Sequence, residues 1–420
     1  MAKFKILPAK KLSGVIPVYG AKNAAIKMIA GSLLLKGETI LDNIPDILDI
    51  QKIIRILEKL GVSFHRDGHR LKISTQNLRP GDPDPKLVSE IRASVVLVGP
   101  LLSRFSSVNL PHPGGCTIGQ RPIDRHLQAF RHLGADVDET KGYYHFQMPE
   151  TIKNRPVKVK FSEISVTATE NVLLFGALQE RQIEIENAAL EPEVIDLIEF
   201  LKKAGVEISL NGRRMAIRGR RNLSPVKHRV IPDRIEAGTF GILAAATKSS
   251  LKIIGLIPEH LENLLDKFQK MGVQFERGGD FLYIKKSPRL KALDIATAPF
   301  PGFPTDLQPP MGVLLTQAAG ISRLKENIFS NRLEYLGELQ KMGARIKISS
   351  SREAKIYGPK ELNGDKIESL DLRAGATLLI AGLTAKYGET VINHAENIDR
   401  GYEKIEERLQ NIGANIQRVQ

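Results

Sequence analysis

The groups in this sequence that could do chemistry are one thiol and a scattered set of cations and carboxylates. Cys116, the only cysteine among 420 residues, lies in P-H-P-G-G-C-T-I-G-Q-R-P-I-D (111–124), with Arg121 five positions after it. Glycine admits a left-handed backbone and proline fixes φ, so the stretch reads as a shaped surface loop. A lone cysteine is commonly a small buried hydrophobe. The flanks of Cys116 lack the apolar period of a core element, and a neighbouring guanidinium favours the thiolate. The second set lies where apolar helices are predicted to begin: Lys22 and Asn23; Arg92; Thr169, Glu170 and Asn171; Asp233, Arg234 and Glu236; Asp306; Asp371 and Arg373. Helix N-termini attract phosphate and carboxylate, and Asp, Thr and Asn there also serve as plain caps. Lys22, Arg92 and Arg373 are cations at the wrong end of a helix dipole, which points to an anion.

These residues sit on a repeat. Six amphipathic helices end in a glycine, at Gly61, Gly134, Gly205, Gly272, Gly343 and Gly413, spaced 67 to 73 residues apart. Each glycine stands where a helix ends in left-handed φ, and an alternating strand pair follows most of them. Upstream of each lies a segment apolar nearly all round, such as A-A-I-K-M-I-A-G-S-L-L-L or G-A-T-L-L-I-A-G-L-T-A, which belongs inside a domain. The unit is therefore strand, buried helix, strand, amphipathic helix, strand pair. The last copy has room for only one strand after Gly413, and K-F-K-I-L at the N-terminus can supply the other. The expected organisation is residues 21–230 as the domain of repeats 1–3 carrying the Cys116 loop, and 1–20 plus 231–420 as the domain of repeats 4–6. Two connections would then join the halves, with the active site in the cleft between them.

Composition narrows the partners. The net charge of +14 (61 basic minus 47 acidic) suits anionic ligands. No tryptophan is present and aromatics make up 5%, with no basic run interleaved with aromatics, which argues against nucleic acid. Apolar stretches run to about ten residues, short of a membrane span of roughly 20, and the basic N-terminus lacks the apolar core of a signal peptide. A cytoplasmic protein is expected, with no membrane partner. G-V-I-P-V-Y-G-A-K-N has the wrong spacing for a P-loop, and one cysteine leaves a zinc site little to build from. No metal or other cofactor is expected.

Taken together, G-A-K-N-A-A (20–25), I-R-A-S (91–94), G-G-C-T-I-G-Q-R-P-I-D (114–124), P-D-R-I-E-A-G-T (232–239), F-P-T-D-L-Q (303–308), E-N-I-F-S-N-R (326–332), D-L-R-A (371–374) and I-D-R-G-Y-E (398–403) resemble the UDP-N-acetylglucosamine 1-carboxyvinyltransferases nearly end to end. These enolpyruvyl transferases are related to 5-enolpyruvylshikimate-3-phosphate synthase, which lacks the cysteine loop. The resemblance implies an α/β (α+β) fold, a two-domain inside-out α/β barrel of six βαβαββ repeats, three per domain around buried helices. It implies transfer of the enolpyruvyl group of phosphoenolpyruvate to the 3′-hydroxyl of UDP-N-acetylglucosamine, through a tetrahedral intermediate, at the first committed step of peptidoglycan synthesis. Carried over by position, Lys22, Asn23, Arg121, Arg332, Arg373 and Arg400 would bind phosphoenolpyruvate. Asn23, Arg92, Arg121, Pro122, Ile123, Asp124, Arg125, Ser165, Val166, Asp306 and Ile328 would bind the nucleotide sugar. Cys116 would be the acid, open to a phosphoenolpyruvate adduct and to fosfomycin, and Asp306 the base. A monomer or weak homo-oligomer is expected. Thr167 stands where a glycine is common, Arg125 where an apolar residue is usual, and Pro309-Pro310 follow T-D-L-Q where a second glutamine is often seen. Another acceptor alcohol, or a non-catalytic UDP-sugar-binding paralogue, are the alternative readings.

Overall fold

The computed structural model describes residues 2–114, 123–150, 155–287 and 289–419. Twelve helices follow the repeat in alternation: α1 (Lys22–Ser32), α2 (Leu48–Lys59), α3 (Val98–Phe105), α4 (Asp124–His132), α5 (Val166–Gly176), α6 (Pro192–Lys203), α7 (Arg234–Ala246), α8 (Glu262–Met271), α9 (Gln308–Thr316), α10 (Tyr335–Lys341), α11 (Leu372–Thr384) and α12 (Ile405–Gln410). The odd-numbered helices are buried on all sides; every residue of α5 from Ala168 to Gly176 and of α11 from Leu372 to Leu383 is inside. The even-numbered ones bury one stripe, as α2 does with Ile50, Ile53, Ile56 and Leu57. All six glycines that end them have positive φ, between +84° and +102°. A residue with a Cβ is strained there, which is why the repeat carries glycine.

Among the described residues the chain divides into two compact units, 20–114 with 123–231, and 2–19 with 232–419. In each, buried helices pack on one another and sheets cover them. In the second unit α7, α9 and α11 all touch; in the first, α3 runs along α5. That last approach requires Gly99, since a Cβ there would lie 2.5 Å from the Asn171 carbonyl oxygen. Gly99 N–H instead donates to Asn171 Oδ1 at 2.8 Å.

The sheets share one plan. In the third repeat Val157–Lys160 pairs parallel with Ile183–Glu186, which pairs antiparallel with Arg214–Arg218, which pairs antiparallel with Glu207–Asn211. The last repeat is completed by Lys3–Ile6, held between Thr390–Asn393 and Ile416–Val419 and antiparallel to both. Two features depart from the simple unit. Ser13–Pro17 does not join the sheet of the repeat it precedes; it pairs parallel with Ser250–Ile254, and Lys227–Arg229 fills the corresponding place beside Glu38–Asp42. The second repeat has a three-stranded sheet. Pro80, Pro83 and Pro85 precede its entry helix, and proline cannot donate to a ladder. Arg92 there opens a 3₁₀ segment, Arg92–Leu97, rather than an α-helix.

Buried charges fasten the chain where it passes from one unit to the other. Tyr19 N–H donates to Glu236 Oε2 at 2.9 Å, and Glu236 Oε1 pairs with Arg408 at 2.6 Å. In the other unit Asp196 accepts from Ile231 N–H at 3.2 Å and lies 2.8 Å from His228 Nε2. Among the described residues no helix is long and apolar enough to cross a membrane.

Candidate active site

In the unit of residues 232–419, three of the expected site residues converge. Asp306 lies on a 3₁₀ turn, Thr305–Leu307, that leads into α9. Arg332 Nη2 donates to its Oδ1 at 2.9 Å, and Arg373 Nη2 lies 3.1 Å from its Oδ2. Both guanidiniums are buried, at 1% and 5% side-chain exposure, while Asp306 keeps 24%. Arg373 is the second residue of α11, and Asp371 caps that helix by accepting from Arg373 and Ala374 N–H at 2.7 and 3.2 Å. The cap supplies the negative charge a helix start favours, so the arginine beside it is free to serve the site.

Arg373 is braced from behind. Its Nη1 donates to Tyr402 Oη at 3.3 Å, Tyr402 Oη is 3.0 Å from Thr239 Oγ1, and Thr239 donates to the Ile235 carbonyl at 2.7 Å. Because the threonine proton is spent on Ile235, the tyrosine donates to the threonine and accepts from the arginine. Burial works against the Arg373 charge, but the Asp306 carboxylate outweighs it and holds the guanidinium above its ordinary pKa. Arg332 is different. Its Nε and Nη1 are buried and donate to nothing among the described residues. Orphaned buried N–H groups are rare, and on a cation they call for an anionic acceptor.

The segment carrying Ile328 is stitched down by Glu326, a residue the sequence did not single out. Its fully buried carboxylate accepts from Thr297 Oγ1 (2.9 Å), Thr305 Oγ1 (3.0 Å), Ile328 N–H (2.8 Å) and Phe329 N–H (3.1 Å). Arg400 follows the short helix Glu396–Asp399 and is half-buried.

In the unit of residues 20–114 and 123–231, Lys22 opens α1 and its Nζ lies 2.6 Å from Asp49 Oδ2 in the first turn of α2. The anion that Lys22 needs is thus partly internal, as it is for Arg373. Asn23 follows, and its carbonyl accepts from Lys27 Nζ at 2.7 Å. Arg92 Nη1 donates to the Pro113 carbonyl at 3.2 Å. Ile123 is buried, Asp124 is the exposed first residue of α4, and Arg125 pairs with Glu163. Ser165 precedes α5 but makes no side-chain cap, and Val166 is the first helical residue. Thr169, by contrast, is structural: its hydroxyl donates to the Ser165 carbonyl at 2.8 Å and accepts from Ala189 N–H at 3.1 Å. Asp233 is likewise a cap, accepting from Ile235 and Glu236 N–H. Cys116, Arg121 and Pro122 lie outside the described residues. Among the described residues no cluster of three or more His, Cys, Asp or Glu could hold a metal ion.

Residues 6–409 match the family EPSP synthase (3-phosphoshikimate 1-carboxyvinyltransferase). UDP-N-acetylglucosamine 1-carboxyvinyltransferase 3 of Caldanaerobacter subterraneus is 40% identical over 420 residues, covering 100% of both chains. UDP-N-acetylglucosamine 1-carboxyvinyltransferase 1 of Carboxydothermus hydrogenoformans is 42% identical over 427 positions, covering 100% of this chain and 99% of its own. Among solved structures, the enolpyruvyl transferase NikO of Streptomyces tendae superposes with a TM-score of 0.89 at 22% identity, covering 100% of this chain and 99% of its own. An EPSP synthase of Acinetobacter baumannii superposes at 0.75 and 18% identity over the full length of both.

Proposed function

This chain belongs to the enolpyruvyl transferases, in the branch of the UDP-N-acetylglucosamine 1-carboxyvinyltransferases, and from that premise we infer its reaction and the residues that carry it. It transfers the enolpyruvyl group of phosphoenolpyruvate to the 3′-hydroxyl of UDP-N-acetylglucosamine and releases phosphate. That reaction opens peptidoglycan synthesis and so serves cell-wall growth and division, drawing both substrates from the cytoplasm. The observation that most supports the assignment of residues is Arg332: a buried guanidinium with two nitrogens that donate to nothing among the described residues, beside a carboxylate and a second buried arginine. Phosphoenolpyruvate brings a phosphate and a carboxylate, and planar arginine donors match both.

Lys22, Asn23, Arg121, Arg332, Arg373 and Arg400 bind phosphoenolpyruvate, and Asn23, Arg92, Arg121 to Arg125, Ser165, Val166, Asp306 and Ile328 hold the nucleotide sugar. In the addition, the sugar oxygen bonds to C2 as its proton passes to Asp306, and Cys116 gives its proton to C3. The tetrahedral ketal then returns a C3 proton to the Cys116 thiolate and expels phosphate, which leaves with the proton held by Asp306, restoring the double bond and both groups. Asp306 lies between two guanidiniums, each of which engages one of its oxygens. An anionic substrate that takes donors from Arg332 and Arg373 releases the carboxylate and strengthens it as a base. Binding of one substrate thereby prepares the group that activates the other.

The test is phosphate release from phosphoenolpyruvate with and without UDP-N-acetylglucosamine, before and after treatment with fosfomycin. Release should require the nucleotide sugar and should cease once the epoxide has alkylated Cys116. Release that is equal without it, or equal with an unrelated alcohol, would rule out the proposed acceptor, and full activity after the epoxide would remove Cys116 from catalysis.

A further inference from the structure

Two charged side chains inside the buried helices have no part in the reaction. Lys27 is the single charged residue of α1 beyond its first position, and Glu170 is the single charged residue of α5. They meet: Lys27 Nζ lies 3.2 Å from Glu170 Oε2 and donates to the Asn23 carbonyl at 2.7 Å. Both side chains are buried, and neither Glu170 oxygen accepts a hydrogen bond among the described residues. A desolvated ion pair of that kind stabilises no better than apolar side chains filling the same space. What it adds is an attraction tied to one pair of positions, where apolar contacts would tolerate a slip.

The register of the two helices gives those positions their meaning. Four residues on, Gly31 of α1 faces Leu174 of α5, so closely that a Cβ on Gly31 would lie 3.3 Å from Leu174 Cδ2. Residues four apart share a helix face, so the pairs 27–170 and 31–174 place α1 and α5 side by side, running in the same direction. One turn back, about 6 Å toward the helix starts, the same faces carry Asn23 and Val166. Asn23 is the residue assigned to both substrates, and Val166 and Ser165 are assigned to the nucleotide sugar. The ion pair therefore lies one turn beneath them, with its ammonium bonded to the backbone of Asn23 itself.

Besides Lys27, Glu193 and Glu191 act on Glu170 from the start of α6. Of the other elements packed on α5, α3 carries Arg104, which donates to the Leu33 carbonyl, and the 3₁₀ segment before it carries Arg92. From α4 comes His126, bonded to Asn171 and kept neutral by burial, which pushes its pKa down to about 3. The strand Arg214–Arg218 leaves both its arginines exposed.

We propose that Lys27 and Glu170 are positioning residues for the transfer: their ion pair clamps α1 to α5 and so holds Asn23 at a fixed distance from Val166 and Ser165. The inference rests on the nucleotide-sugar reading above and adds to it two residues that act through Asn23.

The experiment compares wild type, Glu170→Gln, Lys27→Met and the double variant in steady-state phosphate release between about pH 5.5 and 8.5, with thermal melts to confirm folding. Burial keeps the Glu170 carboxyl protonated up to about pH 7, so the clamp is a full ion pair only above that. The readout is kcat/KM for UDP-N-acetylglucosamine, which reports the free enzyme. Wild type should exceed Glu170→Gln by about tenfold at the alkaline end and by less than about twofold at the acid end. Ionisation of the substrates is common to both proteins and cancels in the ratio. At the alkaline end Lys27→Met should lose the same factor, and the double variant no more than either single, because all three lack the one pair. A purely structural role predicts the reverse trend with pH, since glutamine there relieves a buried charge. A ratio that stays constant with pH overturns the proposal, as do single losses that multiply in the double variant. Should the glutamine variant not fold, Lys27→Met decides: kcat/KM within about twofold of wild type at the alkaline end overturns the clamp. If the wild type releases no phosphate, the reaction itself is misassigned, and calorimetric affinity for UDP-N-acetylglucosamine, compared in the same way, decides the clamp. A wild type that does not bind the nucleotide sugar at all overturns both.

Discussion

Replacing Glu170 by glutamine should flatten the pH dependence of this protein's stability. Glu170 lies on α5 with no exposed surface, and among the described residues neither carboxyl oxygen has a hydrogen-bond partner. Its counter-charge among the described residues is Lys27 on α1, 3.2 Å from Oε2, but that ammonium donates to the Asn23 carbonyl at 2.7 Å. Burial, only partly offset by Lys27 and abetted by Glu193 and Glu191, raises the carboxyl from its ordinary 4.5 to about 7. Between those values the folded protein binds more protons than the unfolded chain, so the slope of unfolding free energy with pH is negative. Stability is lost as pH rises through the window from 4.5 to about 7, by 7 minus 4.5 units at 1.36 kcal/mol each, or about 3 kcal/mol. His126 titrates low and gives the opposite slope, but it is common to both proteins and cancels in the difference. Guanidinium unfolding of wild type and Glu170→Gln at pH 5, 6, 7 and 8 should show the variant gaining on the wild type by about 3 kcal/mol across the series. A difference that stays constant to within about 1 kcal/mol would mean that Glu170 is not desolvated as described. The pair sits directly under the turn that carries Lys22 and Asn23, so the same variant also reports how far that turn depends on it.

Two further outcomes follow from the site. Asp306→Asn keeps the shape between Arg332 and Arg373 but removes the base, so phosphate release should fall by about 100-fold or more while calorimetry still detects nucleotide-sugar binding; activity within about tenfold of wild type would exclude Asp306 as the base. Glu326→Gln replaces an acceptor-only carboxylate by an amide whose nitrogen cannot accept, breaking part of the set from Thr297, Thr305, Ile328 and Phe329. It should lower the unfolding free energy by about 2 kcal/mol and raise KM for the nucleotide sugar, and an unchanged melt would show that the segment 326–332 is held by other contacts.

Much of the architecture was legible because its signals are local. A helix that ends at Gly272 or Gly343 needs left-handed φ there whatever it packs on, and a nearly all-apolar run such as 374–383 has no solvent-facing side wherever it is placed. The missing strand after Gly413 could be inferred by counting. What could not be read is pairing between distant segments. Nothing in the types of Ser13–Pro17 says that it aligns with Ser250–Ile254 rather than with Glu38–Asp42, because register is chosen by the assembled sheet. Lys22 and Arg373 were recognised as cations out of place, yet their partners, Asp49 and Asp306, come from other elements. Asp49 in particular looks like any acid in a first helical turn. Glu326 and His126 carry no signal of their own for the same reason: a buried polar residue declares itself only by what surrounds it.

The place of Lys3–Ile6 between Thr390–Asn393 and Ile416–Val419 bears on how the protein is made. A ribosome adding roughly 5 to 20 residues per second needs on the order of 20 to 80 s to go from Ile6 to Thr390, and over that interval the strand has neither neighbour. Residues 20–231 are contiguous and can collapse and pack while the rest is still being translated. The nascent chain therefore finishes the unit it enters first only after its earliest strand has waited, apolar side chains Phe4 and Ile6 uncovered, for its latest ones. That wait is where a chaperone would find its target.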